Sequence, residues 1–241
     1  MPDVSAPDGS YRLFQGDCLD VLKTFPDASV DAVITDPPYG TSENGKDKLN
    51  GVTNGVWKTF GEEWDEELPT EWIAAVYRVL RPGGALIAFT DTKRTETLWE
   101  LCSSVGMHPL QTLFWHKTNP APNPRKNFAS SVEAAVFARK PGKVRNWSGG
   151  AFTHNLWTGP SVPGPEKLHP TQKPTPLMSW LCRLVTPVGG VILDPFMGSG
   201  STGVAAQRDG FTFFGIERDP HYFEAATVRM LSREARQQVM F

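Results

Sequence analysis

A chain of 241 residues, 39 % hydrophobic and 21 % charged, has the size and composition of one ordinary globular domain, which excludes a disordered or fibrous protein. Its formal net charge of −2 gives no general attraction to nucleic acid, yet it averages two opposed segments: positions 43–71 carry eight acidic residues against three lysines, and 117–173 carry nine Lys or Arg against two glutamates. A local basic face is what phosphate contacts need, whatever the total charge.

Cys18, Cys102 and Cys182 are odd in number and far apart. They form neither a disulfide framework nor a zinc-ligand pattern, and we read them as buried thiols in a reducing compartment. No apolar run approaches the ~18 residues of a membrane span, and the polar start "MPDVSAPDGS" lacks the basic and apolar regions of a signal peptide. A cytoplasmic protein is expected, with no membrane partner and no structural metal.

In chain order, "YRLFQGDCLDVLKTFP" predicts a short strand, a turn at Gly16 and Asp17, and a brief helix ending before Pro26. "SVDAVITDPPYG" predicts a strand with Val30, Ala32, Val33 and Ile34 inside, closed by two prolines that cannot continue a ladder. Residues 41–68 have glycines and asparagines but no periodicity, and a mobile loop is expected there. "PTEWIAAVYRVLRPGG" predicts a helix from near Thr70, with Trp72, Ile73, Val76, Val79 and Leu80 on one face and a Pro-Gly-Gly stop.

A strand "GALIAFT", a helix around 94–105 and a strand "LQTLFWHK" come next. After the proline-rich "TNPAPNPRKN", another strand is predicted in "SSVEAAVFARK", then a long Gly- and Pro-rich loop reaching "HPTQKP". The chain closes with a helix over "TPLMSWLCRLVT", the strand "VILDPF", a helix "TGVAAQRD", the strand "FTFFGIE" and a helix from Pro220. Nearly all-apolar strands separated by helices predict an α/β sheet covered on both faces. Open sheets of this kind bind ligands at the carboxyl ends of their strands, where both Asp-Pro pairs lie.

Two candidate sites follow from the chemistry. In "LDPFMGSGSTGVAA" a strand feeds glycines 198 and 200 and then a helix start, so a ligand can approach the backbone closely. Glu217 ends the next strand, at the spacing of an acid that clamps ribose hydroxyls. The stretch is neither GxGxxG nor a P-loop, and Asp194 would face a pyrophosphate unfavourably, so a phosphate-free nucleoside cofactor fits best. At "DPPY", Pro37 and Pro38 leave carbonyls without neighbouring amide donors, Asp36 adds an acceptor and Tyr39 a flat ring. Together they complement the exocyclic amine and ring of a flipped base.

"DPPY", "HPTQKP" and "DPFMGSGST", in that order from Phe14 to Tyr222, resemble the S-adenosylmethionine-dependent amino-methyltransferases of DNA, and the order is similar to their circularly permuted beta group. The resemblance implies a Rossmann-like methyltransferase fold. Its sheet would be mostly parallel and seven-stranded with one antiparallel strand, in a single domain over 1–241. Residues 117–168 would be an inserted target-recognition region.

The resemblance also implies that Asp36, Pro37, Pro38 and Tyr39 hold the target base. Asp194, Pro195, Phe196, Gly198, Ser199 and Gly200 would shape the methionine side of the cofactor site, with Asp194 on the cofactor's amino group. Glu217 would take the ribose, Asp17 the adenine, and Thr171 and Lys173 would stand near the carboxylate. Within the recognition region, Arg125, Lys126, Arg139, Lys143 and Arg145 could reach phosphates or guanine edges, and Asn123, Asn127 or Asn146 could read adenine. The implied activity is methylation of the N6 amine of adenine in double-stranded DNA, by an enzyme expected to be a homodimer. Cytosine N4 methylation is the alternative, and the aspartate heading the tetrapeptide favours adenine. RNA and protein-glutamine methyltransferases share the acceptor-Pro-Pro-aromatic stretch but carry the cofactor loop ahead of it.

Overall fold

The apolar runs of the sequence become strands, and the amphipathic stretches after them become the helices that cover the sheet. The computed structural model describes residues 3–38, 70–122 and 128–238. Tyr39, the expected mobile loop at 41–68, and Asn123, Arg125, Lys126 and Asn127 lie outside the described residues.

The first half of the chain forms β1 (Asp3–Ser5), β2 (Tyr11–Gln15), α1 (Cys18–Leu22), β3 (Val30–Thr35), α2 (Glu71–Val79), β4 (Leu80–Thr90) and α3 (Thr95–Ser104). β5 (His108–Lys117), β6 (Val132–Arg139), β7 (Leu156–Gly159) and α4 (Thr175–Val185) follow, then β8 (Val191–Asp194), α5 (Ser201–Arg208), β9 (Thr212–Glu217) and α6 (Pro220–Gln238).

All of these strands join one sheet in the order β1-β2-β9-β8-β3-β4-β6-β5-β7. The α/β architecture with helices on both faces is as expected, but the strand count is not. The sheet has nine strands among the described residues rather than seven, and both β1 and β6 run against the others. β1 has three residues and β7 four, too short to show a period, and each is held by pairing with β2 or β5. Leu80 also changes element. The helix ends at Val79 and the strand starts at Leu80, ahead of the Pro-Gly-Gly stretch, because Leu80 pairs with Val30 before the register shifts.

Alternation along the strands divides the core into two layers. Ala32, Ile34, Ile87 and Phe89 face α4, α5 and α6, against Leu177, Leu181, Val204 and Met230. Val30, Val33, Leu86 and Ala88 face α1, α2 and α3, against Leu22, Ile73, Val76 and Cys102. All three cysteines are buried and free, and burial pushes the thiols of Cys18 and Cys102 up to about 12, which leaves them unreactive. Among the described residues no helix is long and apolar enough to cross a membrane.

From β3 the chain crosses to β4 on one side, and from β8 it crosses to β9 on the other. The gap between β3 and β8 is therefore the topological switch point, where an open α/β sheet leaves a crevice beyond its strand ends. Both Asp-Pro pairs open onto it.

Candidate active site

Asp36 and Pro37 follow β3, and Asp194 ends β8. The two are tied together: the Thr35 hydroxyl donates to Asp194 Oδ1 at 2.6 Å. Asp194 also accepts from the Thr202 hydroxyl at 2.7 Å and from the Phe196 N–H at 3.1 Å. Burial pushes its carboxyl up to about 6, although those three hydrogen bonds pull the other way. Asp194 thus staples β3, the glycine turn and α5 from a position only 3 % exposed.

The turn after Asp194 is shaped by backbone. Gly198 and Gly200 have φ values of 51° and 76°, a region that side chains with a Cβ enter at a cost. The Gly198 N–H donates to Glu217 Oε2 at 2.9 Å, and the Asp219 N–H donates to Oε1 at 2.8 Å. Burial raises the Glu217 carboxyl to about 7 against those two donors, with Asp219 and Asp194 adding repulsion. Pro195 and Ser199 are buried, and Phe196 packs edge-on against Trp72 with ring centres 5.5 Å apart.

β2 pairs with β9 so that Gln15 lies beside Glu217, and the Gly16 N–H donates to the Glu217 carbonyl at 2.9 Å. This brings Asp17 to the same rim, where it caps α1 by accepting from the Leu19 N–H at 2.8 Å. Asp17, Asp194, Glu217 and Asp219 therefore surround the turn with carboxylates. That donor set would repel a pyrophosphate and suits a phosphate-free nucleoside with hydroxyls to donate, so the residues present fit S-adenosylmethionine. Among the described residues no cluster of His, Cys, Asp and Glu could hold a metal ion.

The "HPTQKP" segment completes the rim. His169 stacks edge-on against Tyr222 with ring centres 4.2 Å apart, and its ring lies beside Gly198. Burial, with Lys173 nearby, pushes its imidazole down to about 4, so it is neutral at physiological pH. Thr171 approaches His169 Nδ1, hydroxyl to ring nitrogen, at 3.1 Å. Lys173 is buried, and its ammonium bonds Asp36 itself as well as Glu133 Oε2 at 3.2 Å. The lysine expected beside a cofactor carboxylate thus contacts Asp36, the carboxylate expected to hold the target base, in this structure.

The basic candidates divide by strand direction. β6 runs against its neighbours, so Val132 starts it at the rim of Asp36 and Arg139 ends it at the opposite rim, about 24 Å away at strand rise. At that far rim Arg139 is buried and donates to the carbonyls of Gly83 and Asn146 at 3.1 and 3.0 Å. Lys140 caps the end of α2 through the Tyr77 and Leu80 carbonyls at 2.7 and 2.8 Å. Arg145 pairs with the buried Asp31 at 2.7 Å. The Lys143 carbonyl sits where a Cβ on Gly83 would be, 1.7 Å away, and Gly83 has φ 75°. In this structure Arg139, Lys143 and Arg145, expected at DNA, lie away from Asp36, and Arg139 and Arg145 have internal partners.

Three contributors were not anticipated. Thr35 joins the two motifs, and Glu133 holds Lys173. Arg229 of α6 pins the turn through the Ser199 carbonyl at 3.0 Å and the Ser201 and Thr175 hydroxyls at 3.2 and 3.3 Å. Only Glu133 left a trace in the sequence, as a lone acid opening an apolar strand within a basic stretch.

A family model described as DNA methylase matches residues 30–228. The chain is 32 % identical to the type II methyltransferase M2.DpnII of Streptococcus pneumoniae, over 90 % of this chain and 88 % of that protein. Among solved structures it is similar to the complex of M1.HpyAVI with S-adenosylmethionine, with a TM-score of 0.70 at 26 % identity, covering 91 % of this chain and 99 % of that one. PvuII DNA methyltransferase, described as cytosine-N4-specific, shares the fold at a TM-score of 0.70 and 18 % identity, covering 95 % of this chain and 90 % of that one. With both motifs meeting at the switch point and the family match spanning them, the chain belongs to the N6/N4 DNA methylase family.

Proposed function

We propose that this protein transfers a methyl group from S-adenosylmethionine to the N6 amine of an adenine flipped out of double-stranded DNA. The observation that carries the reading is the Thr35–Asp194 hydrogen bond, which sets a base-binding lip and a nucleoside-binding turn against each other across the switch point. S-adenosylmethionine, when bound, supplies an electrophilic methyl group on sulfur.

Glu217 would accept the ribose hydroxyls, Asp17 would lie toward the adenine, and Gly198 and Gly200 would let the cofactor lie on the backbone. Asp36 would accept one hydrogen of the target amine and the Pro37 carbonyl the other, turning the nitrogen lone pair toward the methyl group. Tyr39 would stack on the base. Holding two reactants in line supplies much of the rate. The proton that leaves the methylated nitrogen would pass to an Asp36 oxygen. Asp36 heading the tetrapeptide is what favours adenine over cytosine. Among the described residues, the parts of the recognition region nearest the site are 117–122, 128–131 and 160–168, which flank the ends of β5, β6 and β7 on the Asp36 rim, so DNA contacts are sought there.

Unmethylated genomic DNA incubated with the enzyme and labelled cofactor, then digested to nucleosides for mass spectrometry, is expected to yield N6-methyladenine. N4-methylcytosine as the only labelled nucleoside would overturn the base and keep the chemistry. Label in RNA or protein but not in DNA would overturn the substrate class.

A pH dependence follows from Glu217. Its ionised form accepts hydroxyl donors, and its carboxyl titrates near about 7 in the free protein. Below that pH the cofactor must displace a proton, so affinity should rise as pH increases and level off above it, by at most about tenfold per pH unit. Asp194, near about 6, adds a smaller contribution in the same direction. Calorimetry in buffers of different ionisation enthalpy should detect the released proton near pH 6. Glu217→Gln should bind more weakly with a flatter profile, and an unchanged profile would remove Glu217 from the cofactor site.

A further inference from the structure

We propose that Glu133 is a positioning residue for methyl transfer, acting on Asp36 through the ammonium of Lys173. This inference rests on the function proposed above. Four side chains of alternating charge form a line from the end of β5 to the end of β3. Lys117 bonds Glu133 Oε1 at 2.6 Å, Glu133 Oε2 lies 3.2 Å from Lys173, and Lys173 bonds Asp36. The Lys173 side chain is 5 % exposed and that of Asp36 16 %, so little water screens the pair. The Phe89 ring lies beneath the ammonium, 4.9 Å from its centre, and the Thr171 carbonyl is a marginal third acceptor at 3.4 Å.

The arrangement meets a specific chemical need. Asp36 must offer oxygen lone pairs to the target amine, and a buried ammonium that had Asp36 as its only charged partner would compete for them. Glu133 divides the attraction of Lys173 between two carboxylates, and Lys117 in turn balances Glu133. Burial opposes the charge on Lys173, but Asp36 and Glu133 together hold it above the ordinary lysine value. Burial likewise opposes the charge on Glu133, and Lys173 and Lys117 bring its carboxyl below the ordinary glutamate value. Among the described residues, the other ionisable groups around Lys173 are Lys167 and His169 on the segment before α4, while Asp194 faces Asp36 from β8. His169 is neutral, so Glu133 is the counter-charge available to share Lys173.

The test is a cycle of Glu133→Gln, Lys173→Met and the double variant, with single-turnover transfer measured at saturating DNA and cofactor. Glu133→Gln keeps shape and removes charge. Its rate is expected to fall about tenfold or more, with cofactor and DNA dissociation constants within about threefold of wild type. In the Lys173→Met background the same change should cost nothing further, because the residue acts through Lys173. Glu133→Asp, which retains the charge, should recover most of the rate.

The titration of Lys173, followed by its 13Cε resonance, should move down in Glu133→Gln, because one of its two carboxylate partners is gone. If that variant folds poorly, Lys117→Met tests the same line through the 13Cε titration of Lys173: Glu133 is then left to Lys173 alone, so the titration should move up, and a titration that stays put would overturn the proposal. An unmoved Lys173 titration, additive losses, or a Glu133→Gln rate within about threefold of wild type would also overturn it. Wild-type protein that methylates no DNA would instead overturn the function proposed above, whereas active wild type with an equally active Glu133→Gln variant would remove this inference alone.

Discussion

Asp36→Ala is expected to lower the single-turnover rate of methyl transfer by about 10² to 10⁴-fold while leaving S-adenosylmethionine affinity within about threefold of wild type. The two halves of this result have separate causes. In the proposed mechanism Asp36, on the β3 side of the switch point, accepts the amine, whereas the glycine turn follows β8 and Glu217 ends β9. Lys173 keeps Glu133 as a partner in the variant, so no unpaired ammonium is left to unfold the site. Asp36→Asn, which preserves shape but replaces one acceptor with a donor, should fail at the same step. Rapid-quench transfer beside a cofactor titration measures both quantities. A rate within tenfold of wild type would remove Asp36 from its assigned role.

The largest effect on stability is expected far from the chemistry, at Asp31. Its side chain is 2 % exposed and accepts from Arg81 at 2.5 Å, Arg145 at 2.7 Å and the Val191 N–H at 3.0 Å. One carboxylate therefore joins β3, β4, the 140–146 turn and β8. Asp31→Ala leaves two arginines and a backbone donor without their acceptor, and should destabilise the protein by about 3 to 5 kcal/mol. Denaturant unfolding checks this, and a loss below about 1 kcal/mol would mean that water replaces the carboxylate easily. Removing Arg145 alone should cost less, since that side chain is 38 % exposed and Arg81 remains to Asp31.

The parts of the molecule legible in the sequence were those written in strong local signals. Val30 to Ile34 could only be a buried strand, and Asp-Pro pairs after two such strands marked the rim where ligands bind. The order of DPPY, HPTQKP and the glycine turn carried the family. Legibility ended where tertiary direction decides meaning. Arg139 and Arg145 read as a basic face because charge is visible, but nothing local reveals that β6 runs backwards and takes Arg139, and the turn after it with Arg145, to the opposite rim. The motif HPTQKP draws attention to Lys173, yet its partner Glu133 comes from a strand 40 positions earlier. β7, four residues in a Gly- and Pro-rich stretch, exists because Phe114 to Lys117 offer it an edge to pair with.

The Thr35–Asp194 bond spans 159 positions of the chain, and that separation has a consequence for synthesis. When β3 leaves the ribosome, β4 soon covers one of its edges, but the other edge waits for β8. Throughout that interval a strand whose every residue is buried in the finished fold presents an open ladder, and Asp31 lacks the N–H of Val191. A chain released early would keep that sticky edge and lack the cofactor half, so translation fragments should aggregate without methylating anything. The permuted order thus makes catalysis one of the last properties the nascent protein acquires.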